Sequence, residues 1–222
     1  MVYIPTTQLA QAGAAEVDPI EAMFGTPNTA FEFQTSSLVG LTALSPTPDV
    51  ENSDTTVPDC YYAQDNATSI AWCGRYVAAP AAPFTAIAKV QDDNVRNDFN
   101  GSIIFIGEAT PGVMEVMEHG GTERQFKAER FSSPTAFDSA FGTTENNIDP
   151  PLYLSIRVNT STNVDYAGSC GGSVWLPIQL ARNPAITIGS VGIAMKSENA
   201  SGSASAFDFL RIWNSGLSLP GV

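Results

Sequence analysis

The residues best spaced for catalysis lie near the start of the sequence, at positions 16–21 (EVDPIE). Alternate side chains of a β-strand share one face, so in a strand Glu16 and Asp18 would point the same way. Paired carboxylates suit the cleavage of glycosidic bonds, in which one is a general acid and the other a nucleophile or base. Pro19 argues against such a strand, because proline removes a ladder hydrogen bond at the centre of the segment.

Together Glu16, Asp18 and Glu21 resemble the E-x-D-x-x-E strand of laminarinase-like glycoside hydrolases. The resemblance implies a motif on a central strand in the middle of the chain, whereas here only 15 residues precede it. We therefore interpret the match as a chance one in an acidic chain. The expectation is a protein that has no catalytic residues and is not an enzyme.

Other candidate metal ligands are few or badly spaced. His119 is the only histidine, and together with Glu115 on the same strand face it gives two ligands, too few for a closed metal site. A turn-rich segment, residues 45–58, offers oxygen ligands for Ca²⁺ but lacks EF-hand spacing, so we interpret it as a solvated loop. The acidic residues in and just after it are Asp49, Glu51, Asp54 and Asp59. We expect no metal and no cofactor.

Three cysteines, Cys60, Cys73 and Cys170, cannot all pair within one chain, and none of their spacings is typical of a metal site. Cys60 and Cys73 either form one disulfide across a hairpin or remain reduced, as in a protein assembled in a cytosol. The sequence leaves both alternatives open.

The charge balance limits the partners. With 23 acidic and 10 basic residues the net charge is −13, which opposes binding to a nucleic-acid backbone, so no nucleic-acid partner is expected. The sequence contains no run of about 18 apolar residues, so no membrane span is predicted. The first residues also lack the basic start and apolar stretch of a signal peptide. Hydrophobic residues make up 43% of the chain, enough to build a full core.

Strand patterns dominate the rest of the sequence. In residues 190–197, Val191, Ile193 and Met195 alternate with smaller or polar residues, which predicts a strand with one buried face. Residues 206–213 are apolar on both sides and predict a central strand covered on both faces. A small-residue loop, residues 198–205, joins the two.

The remaining segments also read as strands and turns. Residues 152–159 alternate most cleanly, with Leu152, Leu154, Ile156 and Val158 on one face. Residues 60–77 predict a hairpin that turns at Asp65-Asn66, and residues 131–151 predict a long loop. The other predicted strands are 29–39, 84–90, 102–107, 112–119, 125–131, 163–168 and 173–177. We predict an all-β, two-sheet antiparallel sandwich over residues 30–222, preceded by an extended or flexible N-terminal arm, residues 1–29.

Several segments together resemble concanavalin A-like jelly-roll domains, most of all the laminin-G/DUF1349-type modules. In chain order these are Leu152-Tyr153-Leu154-Ser155-Ile156-Arg157, then Tyr166 with Gly171-Gly172 and Trp175, then Val191-Gly192-Ile193, then Phe207-Asp208-Phe209-Leu210. The family has Asp-Gly where this chain has Gly171-Gly172, so no role of that aspartate is carried over. The resemblance covers residues 30–214 and implies a jelly roll.

The resemblance also implies glycan binding. Aromatic rings stack on sugar faces, and polar side chains bond to sugar hydroxyls. The candidate glycan-binding residues are Tyr62, Trp72, Tyr153, Arg157 and Trp175. Each of them would equally serve as a packing residue.

The absence of a predicted secretory signal, the arm and the acidic charge favour a virion structural protein of a tailed bacteriophage, such as a capsid decoration, fibre or tail component. In this interpretation the arm contacts other virion proteins, the chain forms a homo-oligomer in the virion after assembly in the host cytoplasm, and outer loops touch host glycans. The alternative is a cellular carbohydrate-binding module or a laminarinase-like glycoside hydrolase.

Overall fold

The part of the chain that the structure describes forms fifteen strands and one short helix, and most of the longer strands contain alternating apolar residues. The computed structural model describes residues 18–33, 38–44, 50–53, 60–65, 71–93, 100–121, 124–144, 150–197 and 203–222. The elements are α1 Pro19–Phe24, β1 Thr29–Glu32, β2 Thr42–Ala43, β3 Val50–Ser53, β4 Tyr61–Asp65, β5 Ala71–Ala78, β6 Phe84–Asp93, β7 Gly101–Gly107, β8 Met114–Gly120, β9 Gln125–Ser133, β10 Ala136–Thr143, β11 Leu152–Thr160, β12 Asn163–Ser169, β13 Leu176–Arg182, β14 Ser190–Ser197 and β15 Ser203–Trp213.

The strands form two antiparallel sheets. The order in the eight-stranded sheet is β13-β12-β11-β6-β15-β4-β3, with β1 also paired to β15. The order in the seven-stranded sheet is β10-β9-β8-β7-β14-β5-β2. The predicted all-β, two-sheet jelly-roll sandwich is confirmed.

Apolar residues lie between the sheets and also on both outer faces. Leu152, Leu154, Ile156 and Val158 all belong to the inner cluster, as their alternation predicts. Tyr153 on the same strand points outward, into a second cluster against the outer face of the eight-stranded sheet. A third cluster covers the outer face of the seven-stranded sheet. Because both faces are apolar, central strands such as β7, β8 and β14 are buried along their whole length.

The two predicted strands that follow each other near the end of the chain, β14 and β15, belong to different sheets. β15 lies between β6 and β4, which confirms a central strand, but β14 lies in the other sheet between β7 and β5. The hairpin predicted for residues 60–77 is wrong for the same reason, because β4 pairs in the eight-stranded sheet and β5 in the seven-stranded one. Alternation shows which side chains share a face, but it does not show which sheet receives the strand.

Cys60 and Cys73, the two cysteines of that segment, are buried thiols that do not form a disulfide, and Cys170 is an exposed thiol. Of the two alternatives that the sequence leaves open, the structure therefore shows the reduced one.

The long loop predicted for residues 131–151 is also wrong, because it contains β10. Among the described strands it pairs with β9 alone, at the edge of the sheet, and the pairing shifts register at three places. Most of its side chains are exposed or half-buried, and they include small and polar ones, so no regular apolar alternation reveals the strand in the sequence.

The described part of the predicted arm is a short helix that packs on the eight-stranded sheet. Asp18 caps α1 by accepting a hydrogen bond from the Ile20 amide at 2.8 Å. Its other oxygen accepts one from Arg211 at 2.7 Å. Ile20 is fully buried in the outer cluster, and Phe24 contacts Trp213 edge to face. None of the described helices is long and apolar enough to cross a membrane.

Replacement of Gly168 by alanine tests the packing between the sheets. An added Cβ would lie 2.6 Å from the buried Phe126 ring, so we expect the free energy of unfolding to fall by about 1–3 kcal/mol. Gly171→Ala is the matched control, because nothing lies within 4 Å of its added Cβ. Urea unfolding of both variants measures the difference, and equal stability of the two would contradict this packing.

Candidate functional site

The outer face of the seven-stranded sheet carries the most unusual chemistry among the described residues. Alternation in β8 places Met114, Val116 and Glu118 on this face, while Met117 points into the inner cluster. The apolar part of the face comprises Leu44, Trp72, Ile103, Phe105, Met114, Val116, Phe131 and Ala194. The edge of the Trp72 ring packs on Phe131 with 4.4 Å between centroids. This apolar floor surrounds three ionisable side chains.

Glu118, Glu129 and Lys196 form what we call the carboxylate–lysine cluster. Lys196 Nζ lies 2.5 Å from Glu118 Oε2 and 3.0 Å from Glu129 Oε2. Because both oxygens contact the same nitrogen, they are at most about 5.5 Å apart. The three residues come from β8, β9 and β14, and only the sheet brings them together.

Two glycines make room for the Glu118 carboxylate. A Cβ added at Gly101 or at Gly120 would lie 2.6 Å from Glu118 Oε1. Among the described residues this oxygen has no hydrogen-bond partner, and neither has Trp72 Nε1 on the same face. Buried polar atoms of this kind normally have a partner, so the face retains unused hydrogen-bonding capacity.

Burial raises the pKa of Glu118 to about 7, although the ammonium group of Lys196 lowers it in part and Glu129 adds to the rise. Burial also opposes the charge on Lys196, but the two carboxylates outweigh it and raise the pKa of Lys196 above its ordinary value. The lysine is therefore charged, while Glu118 exchanges a proton close to neutral pH.

A pair of carboxyl groups at this separation, one of them protonated near neutrality, is the arrangement of a general acid and a nucleophile in a retaining glycosidase. The pair is closed in this conformation, since the exposed fractions of Glu118, Glu129 and Lys196 are 0%, 7% and 4%. No local motif in the sequence indicates these residues, because positions 118, 129 and 196 are far apart along the chain.

The predicted glycan-binding residues fall on two separate faces. Trp72 belongs to the outer face of the seven-stranded sheet and is fully buried. Tyr153 and Trp175 pack against each other on the outer face of the eight-stranded sheet, with 6.4 Å between ring centroids. Arg157 binds Asp165 at 2.9 Å and the Leu217 carbonyl at 2.8 Å.

None of these three described rings presents an open face to a sugar in this conformation, and they pack as core residues. The side chain of Tyr62 lies outside the described part of the structure. A role of the five residues in glycan binding stays a prediction.

The acidic motif at residues 16–21 does not form a catalytic strand in its described part. Asp18 caps α1, and Glu21 lies in the helix with its side chain exposed, while Glu16 falls outside the described residues. The side chains of Asp49, Glu51, Asp54 and Asp59 also fall outside them. In the ranges that are described, no three His, Cys, Asp or Glu side chains form a group that could hold a metal ion.

Glu115 lies on the opposite, inner face of β8 and joins the two sheets. It is fully buried and accepts hydrogen bonds from Tyr166 Oη at 2.8 Å, Arg182 Nη2 at 3.1 Å and Arg130 Nη1 at 3.3 Å. Tyr166 and Arg182 belong to the eight-stranded sheet and Arg130 to the seven-stranded one. This network is saturated with partners, which fits a structural role.

No family model and no curated protein matches the chain. Solved structures do. A GH43 protein from Bacillus licheniformis, BlXynB, has a TM-score of 0.63 at 13% identity, covering 83% of this chain and 39% of that one. LamAcat from Zobellia galactanivorans has a TM-score of 0.57 at 10% identity, covering 86% and 99%. A lichenase from a mouse hindgut metagenome has a TM-score of 0.54 at 6% identity, covering 84% and 98%.

At these identities the similarity establishes the fold, a jelly-roll sandwich shared with carbohydrate-active proteins. This chain spans about two fifths of the GH43 protein but nearly the whole of LamAcat and of the lichenase. The expectation of a non-enzymatic protein is contradicted by these comparisons, because the GH43 protein, LamAcat and the lichenase, which share the fold, are glycoside hydrolases. The comparisons give no support to a phage origin.

The raised pKa of Glu118 predicts a pH-dependent stability. Between its ordinary value of 4.5 and about 7, the folded chain binds more protons at this site than the unfolded chain. The contribution of Glu118 to stability therefore falls as the pH rises through this window, by about 1–3 kcal/mol in total. Urea unfolding from pH 5 to 8 should show the wild type losing stability relative to Glu118→Gln. Parallel curves for the two proteins would contradict the prediction.

Proposed function

We propose that this chain is a carbohydrate-active jelly-roll domain that binds a glycan on the outer face of its seven-stranded sheet and cleaves glycosidic bonds there. The observation that carries the proposal is the Glu118–Glu129 pair, whose contacting oxygens lie within about 5.5 Å of each other through Lys196. Carboxyl groups about 5 Å apart are typical of retaining enzymes, which form a covalent glycosyl intermediate.

The environments of the two carboxyl groups assign their roles. Glu118 is fully buried and its pKa is about 7, so at neutral pH it has a proton to give to the leaving oxygen. Glu129 is more exposed and lies 3.0 Å from the Lys196 ammonium group, which makes it the candidate nucleophile for attack on the sugar carbon.

A substrate reaches this pair only if the face opens, because Glu118 is fully buried as described. Two observations favour a polar ligand there. Glu118 Oε1 and Trp72 Nε1 have no hydrogen-bond partners among the described residues. Sugar hydroxyls would supply a donor for Glu118 Oε1 and an acceptor for Trp72 Nε1. The neighbouring rings of Trp72, Phe105 and Phe131, which are fully buried here, would offer apolar surface for the C–H face of a sugar once the face opens.

The test is hydrolysis of β-1,3-glucan, mixed-linkage β-glucan and xylan by the full chain, followed as released reducing ends. Glu118→Gln and Glu129→Gln should each lower the rate roughly 100-fold or more, because each removes one partner of the acid–nucleophile pair. Glu21→Gln is the matched control, since Glu21 is an exposed carboxylate of the N-terminal motif, and it should leave the rate unchanged.

Circular dichroism spectra of the variants check that each of them folds. No hydrolysis of any of these glycans by the wild type would overturn the proposal. Loss of activity in Glu21→Gln or Glu16→Gln, with Glu118→Gln still active, would move the catalytic site to the N-terminal motif.

The narrower prediction, a structural protein in the virion of a tailed phage, stays a prediction. The net charge of −13 and the sequence of the N-terminal arm support it. The same holds for contacts of the arm with other virion proteins, for a homo-oligomer and for attachment to host glycans. Sedimentation of native particles tests it: the chain should travel with capsids or tails, and its absence from purified particles would contradict a virion location.

A further inference from the structure

A second concave region lies at the end of the sandwich, which we call the strand-end cleft. Its volume is about 670 Å³, within the range of ligand pockets. It is lined by Pro80, Ala81, Ala82, Phe84, Glu108, Val158, Ser161, Thr162, Asn183, Ala185, Ile186, Thr187 and Ile188. Glu108 follows the last residue of β7, whereas Gly101 at the other end of β7 contacts Glu118. The cleft is therefore about 20 Å from the carboxylate–lysine cluster.

The cleft has an apolar floor and a polar rim. The accessible part of the floor is formed by the half-buried Pro80, Ile186 and Ile188, while Phe84 and Val158 belong to the buried core that lines it. The rim carries hydroxyl, amide and carboxylate groups on exposed residues, namely Glu108, Ser161, Thr162, Asn183 and Thr187. Such a lining contacts the C–H groups of a ligand from below and its hydroxyl groups from the side.

Several rim groups have hydrogen-bonding capacity to spare. Within the described residues, the hydroxyls of Ser161 and Thr187 make no hydrogen bond. Asn183 accepts one from the Ala185 amide at 3.1 Å, which leaves its own side-chain amino group for a ligand. Glu108 accepts only a long contact, 3.4 Å, from the Val113 amide.

The wall formed by residues 183–188 is held in place from both ends. The Pro184 carbonyl accepts a hydrogen bond from Arg130, and the Gly189 amide donates one to the Gly107 carbonyl at 2.8 Å. Ala185 has a φ of 51°, a left-handed conformation that costs a non-glycine residue free energy. A wall fixed in this way loses little further freedom when a ligand binds.

The charges of the lining select the kind of ligand. Glu108 is its only ionisable residue, so an anionic ligand would meet a carboxylate and no cation in a chain of net charge −13. A cationic ligand would gain one exposed, screened ion pair, which is worth little. The groups that dominate the cleft, hydroxyls and an amide above apolar carbon, match a neutral sugar.

We propose that the strand-end cleft binds a short neutral oligosaccharide, as a site separate from the carboxylate–lysine cluster. The cleft has no pair of carboxylates, so it binds sugar without cleaving it. A site of this kind would hold the chain on a glycan whether or not the Glu118–Glu129 pair is catalytic.

The experiment is an NMR titration of the full, isotope-labelled chain with xylotriose and laminaritriose, with spermidine as a cationic comparison. We expect saturable shifts of the amide signals of residues 183–188 with a trisaccharide. The double variant Ser161→Ala/Thr187→Ala, which removes two unused hydroxyls, should weaken this binding about tenfold. Ser139→Ala/Thr143→Ala on β10 is the matched control and should bind as the wild type does.

The outcomes separate this proposal from the hydrolytic one. Binding that persists in Glu118→Gln and maps to residues 183–188 supports the cleft. Shifts confined to residues 114–120 and 194–196, unaffected by the double variant, would place the sugar on the outer sheet face and overturn it. A response to spermidine alone, or to none of the three compounds, would also overturn it, whereas hydrolysis is measured independently.

Discussion

Lys196 places a positive charge between two carboxylates on a sheet face that is otherwise built of Trp72, Phe105 and Phe131. An ionised group in such surroundings is costly unless a partner of opposite charge lies within contact distance. The cluster therefore constrains the register of β14, β8 and β9 together. A slip of one residue in any of these strands would turn its member of the cluster, Lys196, Glu118 or Glu129, to the other face of the sheet. Gly101 and Gly120 have no side chains, which leaves space for the Glu118 carboxylate beside Lys196.

Local pattern was enough to predict most of the longer strands and the sandwich, but not β2, β10 or β3, which lies in the segment 45–58 interpreted as a solvated loop. In residues 152–158 the alternation separates inner from outer side chains correctly, because successive side chains of a strand point to opposite faces. It failed where the information is not local. β14 and β15 follow each other in sequence but enter opposite sheets, and β10 is an exposed edge strand whose composition resembles that of a loop.

The candidate site was less predictable than the fold. The strand that holds Glu118 was predicted, but the partners of this residue lie 11 and 78 positions further along the chain. The aromatic residues of the sequence suggested sugar stacking, yet Trp72 and Trp175 are buried. The sequence could not separate the two roles, because the same aromatic residue types bind sugars and fill cores. The strand-end cleft is formed by turns far apart in sequence, so no single segment predicts it.

The exposed thiol of Cys170 affects how the protein behaves in the laboratory. It lies between β12 and β13, whereas the other two cysteines are buried. A maleimide dye would therefore label the folded chain at one defined position. Oxidation of the same thiol would join two chains through a disulfide, so the native oligomeric state has to be measured with a reductant present.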